Sequence, residues 1–284
     1  IKAEATVANI PLSERGVDRI WYGSAAASEL HDMDWLKEHL REDESVQIKT
    51  LTNDQTILVL AGPRARDVLS ICSRGDWSKE AFPWLSVREC FIGFAPATVM
   101  SISFSGELAY EIHVPNASLY AVYLALRKAG EPHGMGLFGA RAVESMRMEK
   151  GYLHWKADLI TEYDPYETGL ERFVKLTKGE FIGKSALERR LFQGPKRKLV
   201  SLRIDSKDAP AYGGASIMEG GRVIGTVSSG DWGHRVGMNL AYAFIEPEQA
   251  VIGHHLSVNI LGEMVVAEVM ASGPYDSNYS KILA

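Results

Sequence analysis

The last third of the chain restricts the possible folds most. From Lys196 onward there are many glycines, five short β-rich runs (Leu199 to Ile204, Val223 to Ser228, Leu240 to Ile245, Leu256 to Ile260 and Met264 to Met270) and no long helical period. A parallel sheet needs helical crossovers between its strands, so short runs bounded by turn residues call for an antiparallel β domain instead. The spacing predicts a β-barrel domain over residues 196–284.

The rest of the chain mixes strands and helices. Ile1 to Ile10 alternates in hydropathy and reads as a strand with one wet face, on which Glu4 and Thr6 fall together. Arg19 to Tyr22 reads as a second strand, and Ser28 to Leu40 as a helix burying Leu30, Met33, Leu36 and Leu40. Val46 to Leu51 and Thr56 to Ala61 read as strands paired across Asn53-Asp54, followed by a helix over Arg64 to Ser70 that begins after Gly62-Pro63. Val87 to Ile92 and Ala97 to Phe104 are strand-like. Ser105-Gly-Glu-Leu-Ala-Tyr-Glu-Ile-His-Val114 is then a turn running into a strand, with Glu107, Ala109, Glu111 and His113 on one face and Leu108, Tyr110, Ile112 and Val114 on the other. Asn116 is placed to cap a helix reaching Ala129, and Phe138 to Lys150 reads as a further helix stopped by Gly151. This order predicts an α+β protein with split βαβ units, divided into domains at 1–95, 96–195 and 196–284.

With 284 residues, 46% of them hydrophobic, the chain can bury a large core. A net charge of -5 argues against a phosphate backbone as partner, because that requires a basic face. No run approaches the roughly 18 apolar residues of a membrane span. Cys72 and Cys90 are too few for a disulfide framework or a thiolate metal site and suit a reducing compartment. The opening Ile1-Lys-Ala-Glu-Ala has no Met, basic leader or apolar leader segment and reads as the start of a processed or excised piece.

Few motifs carry chemistry. Gly134-Met-Gly-Leu-Phe-Gly139 fits a dinucleotide pattern, but the residues before it end a helix, so it reads as a structural connector. The eight histidines show no ligand spacing, and no metal site is expected. No nucleophile elbow or Cys/His pair appears. Glu4 and Glu111 are carboxylates in otherwise apolar strands, either solvated or functional. Arg141, near a helix start, either pairs with Glu144 or Ser145 on the surface or grips an anionic ligand.

These same residues carry a family resemblance. Ser105-Gly-Glu-Leu-Ala-Tyr-Glu-Ile112, Phe138-Gly-Ala-Arg-Ala-Val-Glu-Ser-Met-Arg-Met-Glu-Lys-Gly151, Asp164-Pro-Tyr-Glu-Thr-Gly-Leu170 and Phe181-Ile-Gly-Lys-Ser-Ala-Leu187 resemble the glycine-cleavage T-protein (aminomethyltransferase) superfamily. Ser24-Ala-Ala-Ala-Ser-Glu-Leu-His-Asp32, Ala61-Gly-Pro-Arg-Ala-Arg66 and Gly230-Asp-Trp-Gly-His-Arg-Val-Gly237 are similar to the folate-binding C-terminal region of dimethylglycine and sarcosine dehydrogenases.

The resemblance implies a T-protein-like ring of domains around tetrahydrofolate. It places the pterin-binding carboxylate on Glu111 and a ligand-orienting arginine on Arg141. Its catalytic carboxylate falls on Glu4, where the family has Asp, with Thr6 beside it. Phe104, Tyr110 and Trp155 become candidate stacking residues, Phe104 standing where related oxidases usually carry Tyr. The implied reaction is attack of folate N5 on an iminium derived from an N-methyl amine, giving 5,10-methylenetetrahydrofolate. FAD would belong to an upstream domain or subunit not present in this chain, and no nucleic acid or membrane partner is implied. The implied location is the cytoplasm, or the mitochondrial matrix in a eukaryote. The alternative is a non-catalytic folate-binding or interaction module of the same fold.

Overall fold

The computed structural model describes residues 1–10, 19–42 and 45–284. It divides into two compact units: residues 3–139 with 278–284, and residues 1–2 with 140–277.

The first unit is built on a four-stranded antiparallel sheet. Its strands are β1 (Ala5–Ile10) and β2 (Arg19–Ser24), which form a separate hairpin, then β3 (Gln55–Ala61), β4 (Val87–Ile92), β5 (Ala95–Met100) and β6 (Ala109–Pro115). The last four pair in the order β3-β6-β5-β4. Three helices accompany them, α1 (Glu29–Glu38), α2 (Ala65–Cys72) and α3 (Leu119–Gly130). One core joins α2 and α3 to one face of the sheet, where Leu60, Val99, Tyr110, Ile112 and Val114 meet Val68, Leu69, Val122 and Leu126. Alternation puts Ile57, Val59, Glu111 and His113 on the opposite face.

Several sequence expectations are corrected here. Val46 to Leu51 forms no strand: β3 pairs with β6, and Leu51 instead closes a turn by accepting hydrogen bonds from the Asp54 and Gln55 amides. Asn116 does not cap α3. Its side-chain amide donates to the Asn53 carbonyl (2.8 Å), and its side-chain oxygen accepts from the Thr56 hydroxyl (2.6 Å), so it ties the strand end to that turn. The stripe expected to bury α1 is largely wet, with Leu30 80% exposed; the buried residue of this helix is Asp32.

The second unit contains the expected antiparallel barrel. After α4 (Ala140–Lys150) and α5 (Lys184–Gln193) come β7 (Lys198–Ile204), β8 (Ser216–Glu219), β9 (Arg222–Gly233), β10 (Met238–Ile245), β11 (His255–Ile260) and β12 (Glu263–Met270). They close in the order β10-β7-β12-β11-β8-β9. Leu202, Ile217, Ile224, Ala241, Ile245 and Val258 fill the interior. Only β8, four residues long, has no counterpart among the expected strands. No helix among the described residues is long and apolar enough to cross a membrane.

Helix α4 is fixed to the barrel by charge as well as by packing. Arg147, fully buried, donates to Asp158 (2.6 Å), Ser229 (2.8 Å) and Glu144. Asp158 also accepts from the Ser228 and Ser229 hydroxyls and the His154 amide, so its lone pairs are satisfied. Glu149 pairs with Arg235, Lys150 with Asp276 (2.9 Å), and the Tyr242 hydroxyl donates to the Met148 carbonyl (2.7 Å). Gly151 then ends the helix at φ +84°, a conformation open to glycine at no steric cost.

Removing one member of a buried pair strands the other charge. Asp158→Ala should therefore cost about 3–5 kcal/mol in urea unfolding, whereas a loss below about 1 kcal/mol would show that the network adds little.

Candidate functional site

The first unit's free sheet face is organised from the hairpin. Thr6 lies directly across from Gly23, and Gly23 and Trp21 point to the same side of β2. The Trp21 indole folds back over Gly23 so closely that a Cβ there would lie 1.9 Å from Cη2. Only glycine leaves that space. Thus placed, the indole meets the His113 ring edge-on, with centroids 4.8 Å apart at 79°. His113, 2% exposed, lies 3.2 Å through Nε2 from Glu111 Oε2. A second link between hairpin and sheet joins Arg19 to Glu89 at 2.6 Å.

Glu111 sits between Val59 and Met100 across the sheet, its side chain 31% exposed. Ile57 and Val59 on the same face are 46% and 52% exposed. A carboxylate bordered by open apolar surface suits a flat heterocycle with N–H donors along one edge, since the apolar face takes the ring while the carboxylate takes the donors.

The other expected site residues fall as follows. Glu4 is exposed and immediately precedes β1, two residues before Thr6, which is also exposed. Phe104 is 41% exposed, just before a turn in which the Ser103 hydroxyl accepts the Gly106 amide (3.1 Å) and the Ser105 hydroxyl the Glu107 amide. Tyr110 is a correction: it is fully buried, stacked on Phe82 at 6.0 Å within the core, and has no open face for a ligand. Arg141 and Trp155 belong to the second unit. Arg141 is exposed near the start of α4. The surface pairing expected for it is absent, because Glu144 pairs with Arg147 and Ser145 donates to the Trp232 carbonyl (2.6 Å). Trp155 is half-buried, with the Lys156 ammonium 4.6 Å from its ring. Among the described residues there is no group of three or more His, Cys, Asp or Glu able to hold a metal ion.

Sequence reasoning missed His113 and Trp21 as partners of Glu111. The alternation of β6 put His113 on the Glu111 face, and nothing local indicated that Trp21 would cover it. It also missed the role of Asp32. This carboxylate accepts the Ser28 hydroxyl (2.9 Å), the Tyr22 hydroxyl (3.2 Å) and the His31 Nδ1–H (2.9 Å), and so ties α1 to β2. Burial pushes the Asp32 carboxyl up, but the hydrogen bonds from His31, Ser24, Ser28 and Tyr22 outweigh it and hold the group below its ordinary value. In the second unit, Asp164-Pro-Tyr-Glu-Thr-Gly-Leu170 is a structural knot. Asp164 accepts the Tyr166 and Glu167 amides and pairs with Arg190, while Glu167 accepts the Lys196 and Arg197 amides.

A helix-backed antiparallel sheet with a carboxylate on its open face, in a chain that also holds a closed six-stranded barrel, defines a multi-unit α+β protein. Residues 3–178 match the family described as GCVT N-terminal domain, and residues 197–276 match the glycine cleavage T-protein C-terminal barrel domain. The chain belongs to the glycine-cleavage T-protein family. It is 33% identical to human (Homo sapiens) mitochondrial dimethylglycine dehydrogenase over 87% of this chain and 29% of that protein. It is 31% identical to mouse (Mus musculus) mitochondrial sarcosine dehydrogenase over 96% of this chain and 30% of that protein. An aminomethyltransferase of Koribacter versatilis is 30% identical over 86% of this chain and 64% of its own length. The chain thus spans about three-tenths of the dehydrogenases it matches. The crystal structure of the glycine cleavage system aminomethyltransferase T of Bartonella henselae superposes with a TM-score of 0.84 over 98% of this chain and 73% of that one, at 22% identity, and shares its fold.

A carboxyl depressed on folding stabilises above its unfolded pKa, about 3.9, and loses that contribution as pH falls through the folded value. Asp32→Asn should melt below wild type near neutral pH, and the gap should shrink as pH falls below about 4. A gap that stays constant down to about pH 2 would contradict the Asp32 assignment.

Proposed function

We propose that this chain is a tetrahydrofolate-binding one-carbon transfer module, the folate part of an enzyme of the dimethylglycine or sarcosine dehydrogenase type. The observation that carries this reading is the Glu111 carboxylate, held by His113 beside open apolar surface at Ile57 and Val59. The family membership and the dehydrogenase likeness over nearly the whole chain support it.

In this reading Glu111 accepts two N–H donors from the amino-pyrimidine edge of the pterin, a bidentate contact that fixes ring orientation. Bound tetrahydrofolate would supply the nucleophilic N5 that adds to the carbon of an iminium derived from an N-methyl amine, the demethylated amine departing as N10 closes the methylene bridge. Glu4 takes up or returns the proton at N5, its carboxylate keeping the charge of the family's Asp on an arm one methylene longer. Thr6 and Phe104 border the ring. Arg141, an exposed guanidinium at a helix start, is suited to gripping a carboxylate. FAD is assigned to a domain outside this chain, as the Gly134 to Gly139 run follows α3 and has no strand before it to form a phosphate-binding turn. The reading places the protein in a reducing compartment, the cytoplasm or the mitochondrial matrix.

A second reading, a folate-binding module without turnover, is favoured by Phe104, which lacks the hydroxyl that related oxidases usually place before this turn. Two variants separate the readings. Glu111→Gln should weaken tetrahydrofolate binding about tenfold by calorimetry, since a charge-assisted pair becomes a neutral one. Equal affinity would remove Glu111 from the site. In the full-length protein, Glu4→Gln should bind tetrahydrofolate as wild type does yet lose formation of 5,10-methylenetetrahydrofolate; undiminished turnover would leave the binding-module reading standing.

A further inference from the structure

His113 is a buried imidazole that neither the family resemblance nor the proposed reaction uses. Burying a polar ring nitrogen without a partner costs about 1–3 kcal/mol, so its position needs a reason. Its Nε2 lies 3.2 Å from Glu111 Oε2, and a carboxylate can only accept, so Nε2 carries the proton in this contact. Trp21 meets the imidazole edge-on, and its own position depends on the absence of a side chain at Gly23. Four residues therefore act in series: Gly23 admits Trp21, Trp21 packs against His113, and His113 holds Glu111.

The constraint matters because of what Glu111 would otherwise do. A glutamate on a strand with exposed apolar neighbours samples several rotamers, and a ligand binding to it must freeze them at about 0.5–1.5 kcal/mol. A fixed hydrogen bond to Oε2 removes much of that freedom beforehand. It also leaves Oε1 and the second lone pair of Oε2 for incoming donors.

We propose that His113 is the positioning residue of this site, with its Nε2–H, packed against Trp21, pre-orienting the Glu111 carboxylate for a heterocycle that offers two adjacent N–H donors. The affinity part of this proposal rests on the tetrahydrofolate reading; the contact itself does not.

Two measurements test it. In tetrahydrofolate titrations, His113→Phe keeps a ring but no donor and should weaken binding about tenfold, while His113→Gln, whose amide N–H reaches near the position of Nε2, should stay within about twofold of wild type. Rescue by Gln is not expected of a residue that merely fills space. Equal affinity in His113→Phe, or equal loss in both variants, would overturn the proposal. Long-range 15N–1H correlation spectra of the ligand-free protein should show Nε2 of His113 protonated and its resonance displaced in Glu111→Gln. A neutral Nδ1–H tautomer, or a resonance unchanged in that variant, would overturn it even if His113→Phe failed to fold. If wild type does not bind tetrahydrofolate, the functional reading fails, while the spectra still decide the His113 contact.

Discussion

The hydrogen bond between His113 and Glu111 is the contact on which the candidate site depends, and it exists because the opposite face of β6 is locked into the core. Tyr110, Ile112 and Val114 are locked into the helix-backed core, so the strand has no freedom to slip: a one-residue shift would drive Glu111 into that core. With register fixed, His113 faces the hairpin and Glu111 lies at the rim. The site is thus a consequence of core packing on the far side of the same strand.

In the second unit buried charge does comparable work. Arg147, Glu149 and Lys150 are consecutive or nearly so on α4, and each finds its partner in the barrel unit: Asp158, Arg235 and Asp276 respectively. Three different partners tie down the rotation of the helix and its position along its axis. Arg141 is carried on the first turn of that fixed helix.

Much of the architecture was legible because it rests on local chemistry. The barrel followed from the lack of helical periodicity after Lys196, and the core face of β6 followed from alternation. The misreadings have separate causes. The Val46 to Leu51 segment has strand-like composition, yet β3 pairs with β6 and not with it. Leu30 and Leu40 have helical spacing, yet α1 buries Asp32 instead, through hydroxyls on β2 and the turn after it. Of the site, Glu111 stood out as a carboxylate in an apolar strand, but only the family resemblance gave it a role, because an isolated strand carboxylate is usually solvated. Its partners His113 and Trp21 needed the fold. Tyr110, a stacking candidate through the resemblance, lies on the core face of β6, opposite Glu111, as the alternation of the strand requires.

Tetrahydrofolate is proposed to bind on the sheet face that carries Glu111. The most direct measurement is a titration of the intact chain with tetrahydrofolate, followed through the Trp21 indole N–H and His113 ring resonances. Both sets should be displaced saturably with one common binding constant, while the buried Tyr110 ring stays comparatively still. Saturable binding that leaves Trp21 and His113 unmoved would place the ligand elsewhere and remove Glu111 from the site.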